Sequence, residues 1–120
     1  MRIVIDLDGT VCPIKRQGQT YSELKPLPGA VDKIKALKED GHYIIIQTAR
    51  NMATQEGNLG KVMRNIGKVT LDWLVEYNIP YDEVYFGKPN ANLYIDDRGF
   101  RFTSWSELTP ELLESLSKDR

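Results

Sequence analysis

The stretch Ile3-Val4-Ile5-Asp6-Leu7-Asp8-Gly9-Thr10 runs from a continuous β-branched segment straight into two carboxylates and a glycine. Such a run reads as a strand buried on both faces, and in parallel α/β sheets the ligand sits outside the carboxyl ends of the strands. Asp6 and Asp8 are two apart, so in extended chain they point to the same side with Leu7 on the other, and Gly9 then permits a sharp exit. Three further runs end in the same manner: Tyr43-Ile44-Ile45-Ile46 into Thr48, Val84-Tyr85-Phe86-Gly87 into Lys88-Pro89, and Leu93-Tyr94-Ile95 into Asp96-Asp97. All four clusters are expected to meet at one edge of one sheet.

Between these runs lie the expected crossovers. Strand one covers about 2 to 7, and residues 11 to 27, with Pro13, Gly18, Tyr21 and Pro26, read as a flap of loop or hairpin over the strand ends. Pro28-Gly29 opens a helix with Ala30, Val31, Ile34 and Leu37 at helical spacing, closed by Gly41. Strand two is about 43 to 48, and residues 51 to 61 read as loop. A helical pattern through Val62, Ile66, Val69, Leu71, Leu74 and Val75, divided near Gly67, leads to Asn78-Ile79-Pro80. Strand three is expected at about 83 to 86 and strand four at about 93 to 96. Pro110 then starts a last helix with Leu112, Leu113 and Leu116, packed on the sheet edge and fraying over 117 to 120.

The residues at the four strand ends suit phosphoryl transfer. One carboxylate of the Asp6, Asp8 pair can attack while the other handles protons, and Lys88 and Thr48 supply the cation and donor that an anionic phosphorus centre requires. Asp96 and Asp97 together with Asp6 form an all-oxygen set suited to a hard Mg²⁺ ion.

The ordered set Asp6-Leu7-Asp8-Gly9-Thr10, Thr48, Lys88, Asp96-Asp97 closely resembles the four motifs of the haloacid dehalogenase superfamily of phosphatases. That resemblance implies a single Rossmann-like domain, a parallel sheet flanked by helices, with a flap after strand one. It also implies Asp6 as nucleophile and Asp8 as acid and base, with Thr48 and Lys88 on the phosphoryl oxygens. Mg²⁺ would be held by Asp6, the Asp8 carbonyl, Asp97 directly and Asp96 through water. Asp8 to Thr48 and Thr48 to Lys88 are each 40 positions apart, which leaves no room for the cap domain usual in that superfamily. The core is expected over about 1 to 102, with an extension over about 103 to 120.

Within the capless group, Thr48-Ala49-Arg50-Asn51-Met52, Glu56-Gly57-Asn58, Gly87-Lys88-Pro89 and Tyr94-Ile95-Asp96-Asp97-Arg98 resemble the small phosphatases of capsule and surface-polysaccharide biosynthesis. The resemblance implies a small phosphorylated sugar or sugar acid as substrate, with Thr10, Arg50 and Asn51 on the substrate side. The alternative for Arg50 is an ion pair with a local acid such as Glu56. Cys12 is expected to be a packing cysteine, His42 an edge residue, and Trp73, Trp105 and Tyr94 core residues, with Tyr21 left open between flap and substrate.

With 120 residues, 16 basic against 17 acidic, the chain is long enough for one compact core, and no basic run tracks a nucleic-acid backbone or a membrane. The lone Cys12 and the lack of a long apolar segment point to a cytoplasmic setting. Competing readings are a phosphatase for nucleic-acid or nucleotide ends, a receiver-type signalling module, and a silent interaction module. In a receiver the acidic pair ends the first strand, whereas here that place holds Asp6-Leu7-Asp8. An uncapped site also leads us to expect a homo-oligomer in which a neighbour's flap or tail covers the opening.

Overall fold

A computed structural model describes residues 1–118. Three parallel strands form one sheet in the order β1 (Arg2–Asp6), β2 (Tyr43–Thr48), β3 (Glu83–Phe86). Asp6 is level with Gln47, and Thr48 with Phe86, so all three strands finish along one edge. The Leu7 amide donates to the Gln47 carbonyl at 2.9 Å, which carries the ladder one step past β1 and fixes the direction in which Asp8 leaves the sheet.

Each parallel pairing is made through a helix, because a parallel neighbour must be entered from the opposite end of the sheet. Helix α1 (Ala30–Glu39) joins β1 to β2, burying Ala30, Ile34 and Leu37 and ending where Gly41 takes a φ of 89°. The β2 to β3 crossover is α2 (Leu59–Val62), a π-helical turn over Met63–Gly67, and α3 (Lys68–Glu76). The break expected near Gly67 is this π turn inside a continuous helix, with the Met63 side chain lying against the glycine. Asn58 caps the start of α2 by accepting from the Lys61 amide, one turn earlier than the apolar pattern alone suggested.

The core gathers Ile5, Leu7, Val11, Ile34, Ile44, Ile46, Trp73 and Leu74. Trp73 and Trp105 are buried as expected, their indole N–H groups donating to the carbonyls of Leu24 and Thr10. The flap is a loop with one 3-10 turn at Tyr21–Glu23, and no hairpin forms in it. Helix α4 (Pro110–Ser117) begins at the expected proline, with Thr109 as its cap, and rests against the core through the half-buried Leu113. The fraying expected at 117 to 120 falls partly on Asp119 and Arg120, which lie outside the described residues. Among those described, no helix is long and apolar enough to cross a membrane.

One expectation fails. Leu93 to Asp96 form no strand, and residues 89–101 are a continuous exposed arm, with Leu93 67% and Ile95 91% exposed. The physical reason is the connection. A parallel strand beside β1 would have to start at the far end of the sheet, through a crossover of roughly a dozen residues. Between Lys88 and Leu93 stand only Pro89, Asn90, Ala91 and Asn92. Tyr94, expected in the core, is accordingly half exposed, its ring facing the Lys88 ammonium at 4.3 Å.

Candidate active site

Three strand ends and one crossover place the site. Asp6 ends β1, and the turn after it folds back as the Val11 amide donates to the Leu7 carbonyl, while Leu7 itself is fully buried. This leaves Asp6 and Asp8 half-buried on the side away from the core, as their spacing predicts. Thr48 ends β2, and its carbonyl accepts from the Lys88 amide at 3.1 Å, tying the β3 exit to the β2 exit. Gly87 makes that exit with a φ of 100°, and a Cβ there would lie 2.6 Å from the Leu59 side chain. The positive φ favours glycine there, whereas the Leu59 methyl belongs to an exposed side chain that can move aside. Lys88 Nζ then reaches Asp6 Oδ1 at 3.3 Å.

Asp6 and Asp8 are held in different ways. Burial raises the Asp6 carboxyl above the usual range, with Asp8 adding to the effect and Lys88 opposing it. Asp8 is gripped on two sides: Thr48 Oγ1 donates to its Oδ2 at 3.0 Å, and Arg50 Nε donates to Oδ1 and Oδ2 at 2.9 and 3.1 Å. A carboxylate with both oxygens engaged by side chains has one orientation, whereas Asp6 meets one side-chain partner, Lys88, at Oδ1, with the Leu7 backbone also beside it.

Arg50 is enclosed by its neighbours. Its residue exposure is 4%; Nη1 donates to Thr70 Oγ1 at 3.1 Å, Nη2 lies 3.6 Å from Cys12 Sγ, and the guanidinium stacks 4.1 Å from the centre of the Tyr21 ring. The guanidinium is thus occupied by protein groups on all sides. The ion pair is with Asp8 and not with Glu56. Thr48 is likewise fully buried, its one proton directed to Asp8 and its oxygen accepting from the Arg50 amide. Its hydroxyl is therefore engaged with Asp8 and the Arg50 backbone.

Thr70, Cys12 and Tyr21 complete this support, and sequence reasoning did not assign them to it. Thr70 carried a signal: it is a polar residue among the apolar positions of α3, fully buried, satisfied by donating to the Ile66 carbonyl and accepting from Arg50. Cys12 is buried as expected, and its thiol is pushed up to about 12, chiefly by burial and then by Asp8, so it stays a neutral packing group. Burial also raises the Tyr21 hydroxyl.

Thr10 lies half-buried in the turn beyond Asp8, its carbonyl taken by Trp105. Asn51 takes a φ of 61° just after Arg50, and its side chain accepts from Asn65. His42, at the opposite end of β2, pairs with the terminal amine and has no place in the site. The concavities lined by Ser22, Asn65, Lys68 and Trp73, and by Pro28, Asp32, Lys33 and Trp105, lie elsewhere.

Asp96 and Asp97 are not brought to this cluster. They are exposed on the arm, with Asp96 Oδ1 accepting from the Arg98 amide. Among the described residues no three acidic, histidine or cysteine side chains gather closely enough to hold a metal ion. Asp6 and Asp8 are thus the acids of the expected set that lie together, and Asp96 and Asp97 stand apart from them.

A crystal structure of a target protein from Vibrio cholerae matches this chain with a TM-score of 0.84 and 32% identity, over 99% of this chain and 98% of that one. A D,D-heptose bisphosphate phosphatase from B. bronchiseptica, crystallised with magnesium and phosphate, matches with a TM-score of 0.50 and 17% identity, over 77% of this chain and 53% of that one. No protein-family model and no curated protein matches the chain.

Proposed function

We propose, from the premise that this chain belongs to the family of the Vibrio cholerae protein and has a haloacid dehalogenase-like α/β fold, that it is a phosphomonoesterase acting through Asp6. One observation carries the reading: Asp6, Asp8, Thr48 and Lys88, from three strands, converge at the carboxyl edge of one parallel sheet, with Lys88 on Asp6 and Thr48 on Asp8.

The chemistry follows from how each group is held. A carboxylate oxygen of Asp6 attacks phosphorus, and a bond to the carboxylate forms as the bond to the leaving oxygen breaks. The leaving oxygen keeps that electron pair and takes a proton from Asp8, which enters this step in its protonated form and leaves it as the carboxylate that Thr48 and Arg50 hold. A water then attacks the aspartyl-phosphate and gives its proton to Asp8; the phosphorus–Asp6 bond breaks, restoring the carboxylate and releasing phosphate. Lys88 neutralises the phosphoryl oxygens during both transfers. Arg50 and Thr48 act through Asp8, holding the acid and base in line. The elevated Asp6 pKa suits a carboxylate partly removed from water, whose nucleophilicity Lys88 moderates.

Mg²⁺ belongs to the proposal because the strand-end acids resemble a set that binds it. Asp6 and the Asp8 carbonyl would hold it, and Asp96 and Asp97 lie apart from them in the single chain.

For the substrate we infer a small phosphorylated sugar or sugar acid of surface-polysaccharide synthesis. Support comes from the subfamily resemblance along Arg50-Asn51-Met52 and Glu56-Gly57-Asn58, and from the near balance of 16 basic and 17 acidic residues, which offers no stripe for a nucleic acid. Asn51 and Thr10 remain the candidates for contact with the group attached to the phosphate. The test is a phosphate-release screen over sugar phosphates, nucleotides and phosphorylated nucleic-acid ends, with Mg²⁺, with Ca²⁺ and with chelator. Hydrolysis of a sugar phosphate that needs Mg²⁺ and fails in Asp6→Asn supports the reading. Preference for nucleic-acid ends with strong salt dependence overturns the substrate assignment, and full activity in chelator overturns the metal.

A further inference from the structure

We propose that the exposed arm, residues 89–101, is exchanged between two copies of this chain, each laying Leu93-Tyr94-Ile95 beside β1 of the other and delivering Asp96 and Asp97 to the other's Asp6. Three independent features of the molecule meet in this arrangement.

First, β1 is an open edge. It pairs with β2 on one side and, among the described residues, with nothing on the other. Val4, in the middle of the strand, is 55% exposed. An unprotected edge strand rich in β-branched residues is a template for another strand and is seldom left bare.

Second, the arm has the composition of the missing neighbour. Its apolar triplet Leu93-Tyr94-Ile95 lies in an unbroken run of exposed residues. Exposed apolar surface of this kind, in a chain that also leaves a strand edge unpaired, marks a contact that the isolated chain does not make.

Third, geometry forbids the chain from closing the gap itself in the useful direction. Lys88 is pinned at the carboxyl edge by the Thr48 carbonyl and by Asp6, and four residues separate it from Leu93. A link that short permits only an antiparallel approach to the same chain's β1, a dozen or more residues being required for a parallel one. Antiparallel addition would carry Asp96 and Asp97 to the far end of the strand, about 16 Å from Asp6 for a five-residue strand at roughly 3.3 Å per residue. In a second copy the crossover constraint vanishes. There the arm can run parallel to β1 and finish with its two acids at the carboxyl edge. A two-fold arrangement makes the exchange reciprocal, so that both open edges and both arms are covered at once.

Charge favours the same occupant. Within one chain Asp6 and Asp8 are already matched by Lys88 and Arg50. Adding the arm's two acids creates the excess negative, all-oxygen site that a hard divalent cation needs, and which the described residues of one chain do not form. This part of the proposal rests on the phosphatase reading; the strand exchange does not.

The experiment has two readouts independent of activity and one that depends on it. Light scattering of the full chain is expected to give twice the 13.7 kDa chain mass, and a monomer at assay concentrations overturns the proposal. Val4→Cys, combined in turn with Leu93→Cys, Tyr94→Cys and Ile95→Cys to cover the register, is expected to oxidise to a covalent dimer in at least one pairing. Cys12 is fully buried and does not compete. An intrachain link at Val4 instead, or no link in any pairing, overturns it. Finally, Asp6→Asn is co-expressed with an Asp96→Asn, Asp97→Asn chain, each inactive alone. Exchange of acids between chains regenerates one intact site in each mixed dimer, or about a quarter of wild-type activity under random two-fold pairing. No recovery means the acids act within their own chain and overturns it. If the wild type hydrolyses no phosphate ester, the proposed function fails, while mass and cross-linking still decide the exchange.

Discussion

The three strand ends that carry Asp6, Thr48 and Lys88, and the arm that carries Asp96 and Asp97, look alike as sequence: each is a short apolar run finishing in polar residues. Their fates differ. The first three lie along one edge, locked by a parallel ladder and by contacts between neighbouring exits, while the fourth is exposed along its whole length. The difference lies in the connections. Helix α1 and the α2 to α3 crossover are long enough to return the chain to the start of the next strand, and Pro89 to Asn92 are not. A strand pattern specifies a willingness to pair; the length of chain before it decides with whom.

The comparison breaks most directly at Asp6. Asp6→Asn is expected to lower kcat to under about one per cent of wild type, with an unchanged circular dichroism spectrum, because the amide keeps shape and loses nucleophilicity. Substantial turnover in a sample free of contaminating phosphatase would mean that the assembled strand ends are not where phosphorus is attacked.

A second change sharpens how the assembled edge works. Arg50→Lys keeps the charge but loses the forked contact with Asp8 and the stacking on Tyr21. We expect kcat to fall about tenfold with KM nearly constant, and Tm to drop, since the replacement leaves Thr70 and Cys12 facing an ill-fitting ammonium. A rise in KM at constant kcat would return Arg50 to the substrate.

The exit from β3 gives a smaller effect. Gly87→Ala places a methyl group at a φ of 100° and against Leu59, with an expected loss of about 1–2 kcal/mol in denaturant unfolding from the backbone conformation. Leu59→Ala in the same chain relieves only the contact. Full recovery in the double variant would show that packing, and not backbone conformation, selects glycine there.

The smallest effect is electrostatic. Because burial raises the folded-state pKa of Asp6 above that of the unfolded chain, the folded form binds this proton more tightly, so Asp6 costs stability once pH exceeds both values. The cost disappears as pH falls below the unfolded value of about 3.8. Asp6→Asn is therefore expected to raise Tm slightly at neutral pH, with the gain shrinking toward acid in a pH series of thermal melts. A gain that grows toward acid would contradict the sign. The acid limb of kcat/KM should likewise lie above the ordinary aspartate range, because attack needs the ionised carboxylate.

Much of this was legible beforehand, for reasons visible in particular residues. Continuous runs such as Ile44-Ile45-Ile46 announce strands, and the Pro28-Gly29 and Pro110 signals placed α1 and α4 to within a residue or two. The expected burial on both faces is not met, since β2 buries Ile44 and Ile46 on one face with Ile45 only partly covered, and Val4 of β1 is exposed. The two-residue spacing of Asp6 and Asp8 settled their common side, because alternation is a local property of extended chain. Arg50 was legible as important but not as buried. Its surroundings come from the flap, from α3 and from the Asp8 turn, and Cys12 and Thr70 stand 38 and 20 positions away in sequence.

What the sequence by itself determined was what short-range rules govern: three of the four expected strands, the helices α1, α3 and α4, and the glycine exits. Tertiary structure alone decided which donors face inward. Thr48 and Arg50 turn to Asp8 because a half-buried carboxylate next to Asp6 must be matched by charge and hydrogen bonds, a demand that exists only once β1 and β2 lie side by side. It also decided that Leu93 to Asp97 stay outside the sheet of their own chain, since pairing depends on where the chain can reach, and reach is a property of the folded path rather than of the pattern.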